Sequence, residues 1–278
     1  NRYDDVFEAT GFSETSVNAG GLEAGWKGMV NEYTPLGGND QVIGNGYTRL
    51  YFTQAMLGIK ADLGTGYVDA LATDAATRTS PEYLYTVGRT IFTGVHGVGG
   101  TDFSDYLIGG SRGAISGTGS YELFSPRGGA DTVDGLGSYD IVSYTSSPNA
   151  ITVDLTRSNG QVVEDGWGSA DTLINVEEVI GSHWNDSFKG NASNNLFRGL
   201  GGADTINGGD GYDTARYVEP RIAELTGALV DLGGTQNVNR SAVMLAAKPM
   251  NLPSGYTGWA KDNFGDTDVL QSIEGIEG

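Results

Sequence analysis

Gly181-Ser-His-Trp-Asn-Asp-Ser-Phe-Lys189, Gly190-Asn-Ala-Ser-Asn-Asn-Leu-Phe-Arg198, Gly199-Leu-Gly-Gly-Ala-Asp-Thr-Ile-Asn207 and Gly208-Gly-Asp-Gly-Tyr-Asp-Thr-Ala-Arg216 are four consecutive nine-residue blocks with one grammar. Position one is glycine. Position six is Asp186, Asn195, Asp204 or Asp213, and position eight is the apolar Phe188, Phe197, Ile206 or Ala215. A short period held over four blocks marks a repeat architecture, in which each block is one structural unit that buries its apolar side chain only against its neighbours.

Outward from this run the same grammar recurs in residues 126–134 and 135–143, with Asp131 and Asp140 at position six and Val133 and Val142 at position eight. A coarser repeat encloses both. Gly37-Gly38-Asn39-Asp40, Gly128-Gly129-Ala130-Asp131 and Gly201-Gly202-Ala203-Asp204 each lead to an apolar residue two places on and to a closing tyrosine, Tyr51, Tyr144 or Tyr217. Three short stretches end in Asp-Leu, at Asp62, Asp154 and Asp231, and their alternation and β-branching make them strands. Asp165 to Leu173 aligns with Asp262 to Leu270, and Val176 to Gly181 aligns with Ile273 to Gly278. Gly100, Gly181 and Gly278 fall at one phase. The expected organisation is therefore three units, 1–100, 101–181 and 182–278, forming one continuous solenoid cut in phase from a longer tandem array. Differences in unit length fall in insertions around 67–87 and 235–261, expected as surface loops and partner contacts, with a short helix at 241–248.

Composition agrees with a turn-rich fold. Among 278 residues there are 45 glycines, 7 prolines and no cysteine, and 35 acidic against 16 basic side chains give a formal charge of -19. Aspartates number 22 of those acids, a bias toward the short carboxylate that suits turns and hard-cation sites. Such a charge repels nucleic acid and anionic membrane surfaces, so neither is an expected partner. Lack of cysteine excludes a disulfide framework and thiolate metal sites. No apolar run reaches the length of a membrane helix.

The nonapeptides resemble the repeats-in-toxin family, the haemolysin-type calcium-binding repeats written G-G-x-G-x-D-x-U-x, where U is apolar. Gly208 to Arg216 fits with Ala215 as a small apolar residue, and Gly199 to Asn207 departs at Leu200. The resemblance implies an all-β, right-handed parallel β-roll or β-solenoid. Six glycine-rich residues form a turn, three form a strand, and two blocks complete one coil. It also implies several bound calcium ions in the turns. On that geometry residues eighteen apart stack, pairing Asp186 with Asp204, Asn195 with Asp213, and Glu122 with Asp140. Two stacked carboxylates repel unless a cation lies between them, and calcium takes carboxylates together with backbone carbonyls. The expected metal ligands are thus Asp186, Asn195, Asp204, Asp210 and Asp213 with turn glycines Gly199, Gly201, Gly202, Gly208 and Gly211. Glu122, Asp131 and Asp140 with Gly128, Gly129 and Gly137 form the second group. Asp186 with Asp204 is expected to bind more tightly than Asn195 with Asp213. Asp40 and Asp105, with Asp5, occupy position six of weaker blocks and are the remaining expected ligands, each without a clean partner in register.

Other readings carry less. Gly-Asp turns can be turns alone, which is the better reading of one pair of blocks but not of four in phase. Asp62, Asp154 and Asp231 read as caps at strand ends. Asp262, Asp266 and Asp268 echo part of an EF-hand loop without its spacing or terminal glutamate. Gly109-Gly-Ser111-Arg-Gly113 satisfies G-x-S-x-G with His183 downstream, but no helix pattern follows the serine, as a nucleophile elbow requires. With His96 and His183 the only histidines, zinc chemistry of the H-E-x-x-H kind is absent. No catalytic set is expected. Tyr51, Tyr144 and Tyr217 read as core.

The expected function is structural. The chain would be a calcium-dependent module of a large secreted adhesin, surface-layer or filament protein, extracellular or at the cell surface, folding where calcium is plentiful. Its partners would be neighbouring repeats, copies of itself head to tail, or cell-surface polysaccharide. The alternative from another class is a carbohydrate-binding or accessory module of a secreted enzyme.

Overall fold

The computed structural model describes residues 3–9, 31–71, 88–110, 121–217, 229–231, 258–262 and 266–277. Every regular element among them is a strand, 22 in all. The described residues are all-β, in keeping with the expected class. Ser111 and residues 241–248 lie outside the described residues. Among the described residues no helix is long and apolar enough to cross a membrane. Contacts divide the chain into two compact units, Asn1–Gly21 with Trp26–Ser143 and Asp171–Val176, and Leu22–Gly25 with Tyr144–Ala170 and Glu177–Gly278.

The first unit holds β1 (Val6–Glu8), β2 (Asn31–Tyr33), β3 (Gln41–Tyr51), β4 (Ile59–Asp62), β5 (Tyr67–Ala70), β6 (Arg89–Gly99), β7 (Tyr106–Ile108), β8 (Tyr121–Ser125), β9 (Thr132–Asp134), β10 (Tyr139–Ser143) and β13 (Thr172–Ile174). One stack, β4–β7–β9–β13, is parallel and in register: Lys60 lies beside Tyr106, Tyr106 beside Thr132, and Thr132 beside Thr172. In a second stack β3 is flanked by β1 and β2 and continues in parallel through β6 and β8 to β10. Strand β5 runs antiparallel to both β4 and β6. The start of the 67–87 insertion is therefore sheet rather than surface loop, because Val68 and Ala70 are buried and hold it against its neighbours.

The second unit holds β11 (Thr152–Asp154), β12 (Val162–Glu164), β14 (Glu178–Ile180), β15 (Ser187–Lys189), β16 (Leu196–Arg198), β17 (Thr205–Asn207), β18 (Thr214–Arg216), β19 (Leu229–Asp231), β20 (Gly258–Lys261), β21 (Thr267–Gln271) and β22 (Gly275–Glu277). Strands β11, β15, β17 and β21 form one parallel stack, and β14, β16, β18 and β22 form another. The nonapeptides alternate between them, so Ser187 lies beside Thr205 in one and Leu196 beside Thr214 in the other, eighteen residues apart in each. Antiparallel strands flank the first stack: β12 on β11, then β20 on β21 and β19 on β20. The end of the 235–261 insertion, like the start of the first, is a sheet strand rather than a loop.

Period-two alternation explains these strands, since three residues suffice to send one side chain inward and two outward. Position eight is the inward one. Val153, Phe188, Ile206 and Leu270 are buried in one stack, Val179, Phe197, Ala215 and Ile276 in the other. The Phe188 and Phe197 rings meet with centroids 5.3 Å apart. Tyr144 and Tyr217 are buried core residues, and Tyr51 packs its ring on Gly99. On the opposite side of β14, Glu178 is fully buried and takes Arg198 Nη2 at 2.8 Å and Arg216 Nη1 at 2.8 Å, tying three successive strands by charge.

Candidate functional site

Glycine spacing in the turns has a steric cause. Gly202 sits at φ 107°, and a β-carbon there would lie 2.5 Å from the carbonyl carbon and oxygen of Trp184 in the turn stacked beside it. Gly38 over Tyr3 and Gly129 over Phe103 repeat the arrangement, with φ 91° and 117°. The second glycine of each Gly-Gly-x-Asp turn is therefore the point where one turn stacks on the backbone of the last. Position one is equally close, because a β-carbon on Gly208 would lie 2.5 Å from Asp213 Oδ2.

Each position-six carboxylate is turned inward by that stacking. In the second unit Ile151 N donates to Asp186 Oδ1, Asp186 N to Asp204 Oδ1 and Asp204 N to Asp268 Oδ1, each at 2.8 Å. Beside it a second column runs from Asn195 N to Asp213 Oδ1 at 2.8 Å and from Asp213 N to Glu274 Oε2 at 2.9 Å. In the first unit Ile59 N, Asp105 N and Asp131 N donate in turn to Asp105, Asp131 and Asp171 at 2.7, 2.7 and 2.9 Å. Asp5 N donates to Asp40 Oδ1 at 2.9 Å. All these acceptors except Glu274 are buried, and Glu274 is half-buried. Each side chain thus ties the backbone of one turn to that of the turn stacked beside it.

The expected pairs Asp186 with Asp204 and Asn195 with Asp213 are brought together. So are Glu122 and Asp140, which lie opposite each other on β8 and β10, with Ser138 Oγ donating to each at 3.1 Å. Asp40 and Asp105 differ from expectation. They do have partners, Asp5 and Asp131, but 35 and 26 residues away. Gly137 is exposed with nothing within 4 Å of where a β-carbon would stand, and Asp210 is exposed on its turn, so neither is packed into a column.

Several contributors escape a search for position-six aspartates. Asp171, Asp268 and Glu274 extend the columns. Position five forms a parallel row of its own: Asp4, Ser104, Asn185 and Asn194 side chains accept the backbone N–H of Asn39, Ala130, Ala203 and Tyr212 at 2.8 to 3.2 Å. The signal for Asp171 was present, since Asp-Thr before an apolar residue also writes Asp131 and Asp204. Asp62 and Asp154 cap their strand ends as expected, accepting Thr65 N and Thr156 N.

Stacked burial has an electrostatic cost. Burial pushes the Asp105 carboxyl up to about 7 and Asp186 to about 6. Asp204 and Asp268 are both raised, by burial first; the charge on Asp268 then acts on Asp204, and that on Asp262 on both. Tyr217, buried among these carboxylates, is held well above its ordinary 10 by burial and then by Asp268 and Asp204. Asp213 is raised by burial and by Glu274.

Donors are distributed unevenly. Asp186 and Asp105 use both oxygens: Ser182 N and Thr101 N reach Oδ2 at 2.6 Å each, while Ser182 Oγ and Thr101 Oγ1 reach Oδ1. Asp204 and Asp213 each keep a buried Oδ2 with no hydrogen-bond donor. A buried carboxylate oxygen without a donor calls for a proton or a cation. A carboxylate oxygen is the hard donor that calcium takes, so Asp204 and Asp213 are the residues that could hold such an ion. At Asp186 and Asp105 it would have to displace protein donors. Among the described residues no three His, Asp or Glu side chains converge as a ready-made metal centre. His183 is exposed in its turn. His96 is buried, its pKa lowered to about 3 by burial and then by Arg49.

Compared with known proteins, the chain matches no family model, and no curated protein matches it significantly.

Proposed function

We propose that this chain is a calcium-stabilised structural repeat module of β-roll type, a load-bearing segment of a secreted or cell-surface protein such as an adhesin, surface layer or filament, rather than an enzyme. The observation that carries the reading is the pair of buried carboxylates Asp204 and Asp213, each stacked within a column of turns and each left with one oxygen without a donor. Asp204 and Asp213, with carbonyls of the glycine turns, would hold the ions. When bound, calcium neutralises the stacked charge and links successive coils, so that binding free energy becomes folding free energy. A formal charge of -19 adds to this, since the cation-free chain repels itself. Because both oxygens of Asp186 already accept protein donors, Asp204 and Asp213 are the contacts this reading assigns to calcium. Isothermal titration of calcium into the wild type and the Asp204→Asn and Asp213→Asn variants tests this. Loss of part of the heat in each variant supports it, and unchanged heats in both refute it.

A further inference from the structure

Tyr3, Phe103 and Trp184 stand at one phase of the repeat, two residues before Asp5, Asp105 and Asp186, and none of the readings above uses them. They are 79%, 47% and 53% exposed. Aromatic residues make up 10% of the chain, so an aromatic at this position in all three turns, each left in solvent, is not a product of composition. Their backbone is fixed although their rings are not buried. The carbonyls of Tyr3, Phe103 and Trp184 lie against Gly38, Gly129 and Gly202 of the neighbouring turn. Asp4, Ser104 and Asn185, next in the chain, accept N–H groups of that same turn from Asn39, Ala130 and Ala203. On the preceding side Thr101 Oγ1 accepts Phe103 N at 2.9 Å and Ser182 Oγ accepts Trp184 N at 3.1 Å. Each ring therefore projects from a backbone that needs no ordering before it meets a partner, which is the condition for a preorganised anchor.

What the three positions share is a ring face, since tyrosine alone brings a hydroxyl and tryptophan alone an N–H. Exposed polar residues of several kinds surround them: Asp4 beside Tyr3, Asp102 and Ser104 beside Phe103, His183 and Asn185 beside Trp184. A cation would meet a carboxylate at Tyr3, a carboxylate already paired with Arg127 at 2.9 Å beside Phe103, and an amide at Trp184, so charge is not the common feature. A hydroxyl both donates and accepts, and it satisfies carboxylate, hydroxyl, amide and imidazole alike. A hexopyranose supplies both halves, with C–H bonds on a flat face to meet the electron-rich ring and hydroxyls at its edge. The formal charge of -19 opposes anionic sugars and a second copy of the chain. We propose that the turns carrying Tyr3, Phe103 and Trp184 bind a neutral polysaccharide of equatorially linked hexopyranoses, each ring stacking on the C–H face of one sugar residue. This names a partner for the cell-surface module proposed above and rests on that reading for its location, but not on calcium occupancy of Asp204 and Asp213.

Affinity electrophoresis of the chain at millimolar calcium reads the binding, in native gels containing hydroxyethylcellulose, galactomannan or laminarin, with polygalacturonate as the anionic control. Circular dichroism in the same buffer confirms the fold of each variant. Because only folded protein is compared, lost retardation counts against this proposal, while a fold indifferent to calcium counts against the calcium reading alone. Retardation in at least one neutral gel is expected. Trp184→Ala should weaken it about three- to tenfold, Trp184→Tyr should keep most of it, and Trp184→Leu, apolar but not aromatic, should behave as alanine does. Tyr3→Ala, Phe103→Ala and Trp184→Ala together should abolish it; if that combination disturbs the fold, the three single variants carry the same comparison. The proposal is overturned by the absence of retardation in every neutral gel, and equally by stronger retardation in polygalacturonate. Retardation that survives the combined substitutions, or is kept by Trp184→Leu, also overturns it. Sedimentation showing self-assembly without polysaccharide that the combined substitutions disperse would make a second copy the occupant and overturn it likewise.

Discussion

Replacing Gly202 by alanine separates two accounts of the turn glycines. If they serve only as carbonyl donors to a cation, alanine keeps the carbonyl and every glycine of the turns should tolerate it. The structure says otherwise at position four. At φ 107° an alanine costs about 1 kcal/mol over glycine. Its β-carbon, 2.5 Å from the Trp184 carbonyl and 2.9 Å from Asn185 N, would force two stacked backbones apart, adding about 1–3 kcal/mol. A loss of about 2–4 kcal/mol is a large part of the stability of an ordinary domain. Gly137→Ala is the internal control, since nothing lies within 4 Å and no left-handed φ is required there. It should be neutral or stabilising by up to about 1 kcal/mol through the unfolded chain. Urea unfolding of both variants at one fixed calcium concentration measures the difference. Equal effects of the two substitutions, or a loss below about 1 kcal/mol for Gly202→Ala, would refute the stacking account.

Three further outcomes follow from the same geometry. In chelator, Asp105 and Asp186 have folded pKa values of about 7 and about 6 against 3.8 unfolded. The native state then binds more protons, so stability should be greatest near pH 4 and fall as pH rises toward 7, the reverse of ordinary acid denaturation. A thermal midpoint that climbs with pH over that window would contradict it. Glu178→Gln should cost about 3–5 kcal/mol in urea unfolding, because it leaves the buried Arg198 without its countercharge 2.8 Å away. A cost under about 1 kcal/mol would mean that the charge triad contributes little. Leu136, exposed at φ 63°, should give a protein about 0.5–1 kcal/mol more stable as Leu136→Gly, since the left-handed backbone is relieved with little lost burial. Destabilisation by that change would show that the leucine packs in a way its exposure conceals.

What the sequence made legible follows from chain length between coils. Where two nonapeptides follow each other without interruption, eighteen residues separate paired neighbours, and Asp186 over Asp204 and Asn195 over Asp213 could be placed by counting. Where an insertion intervenes, the spatial step between strands stays the same while the count does not. Asp105 meets Asp131 after 26 residues, Asp131 meets Asp171 after 40, and Asp204 meets Asp268 after 64. A fixed period cannot find those partners, which is why Asp40 and Asp105 looked unpaired. The strand at the start of the first insertion was missed because Tyr67-Val-Asp-Ala70 has the alternation of a strand yet lies where repeats lengthen. Position five was invisible for a different reason. Asp4, Ser104, Asn185 and Asn194 share only a short acceptor group, and no single residue type marks the position.

The account turns on whether cations stabilise the carboxylate columns. Thermal unfolding followed by circular dichroism, from chelator to millimolar calcium with magnesium as control, tests it most directly. A saturable rise in midpoint with calcium, absent with magnesium and reduced by Asp204→Asn, is the predicted result; full β-signal and an unchanged midpoint in chelator would contradict it.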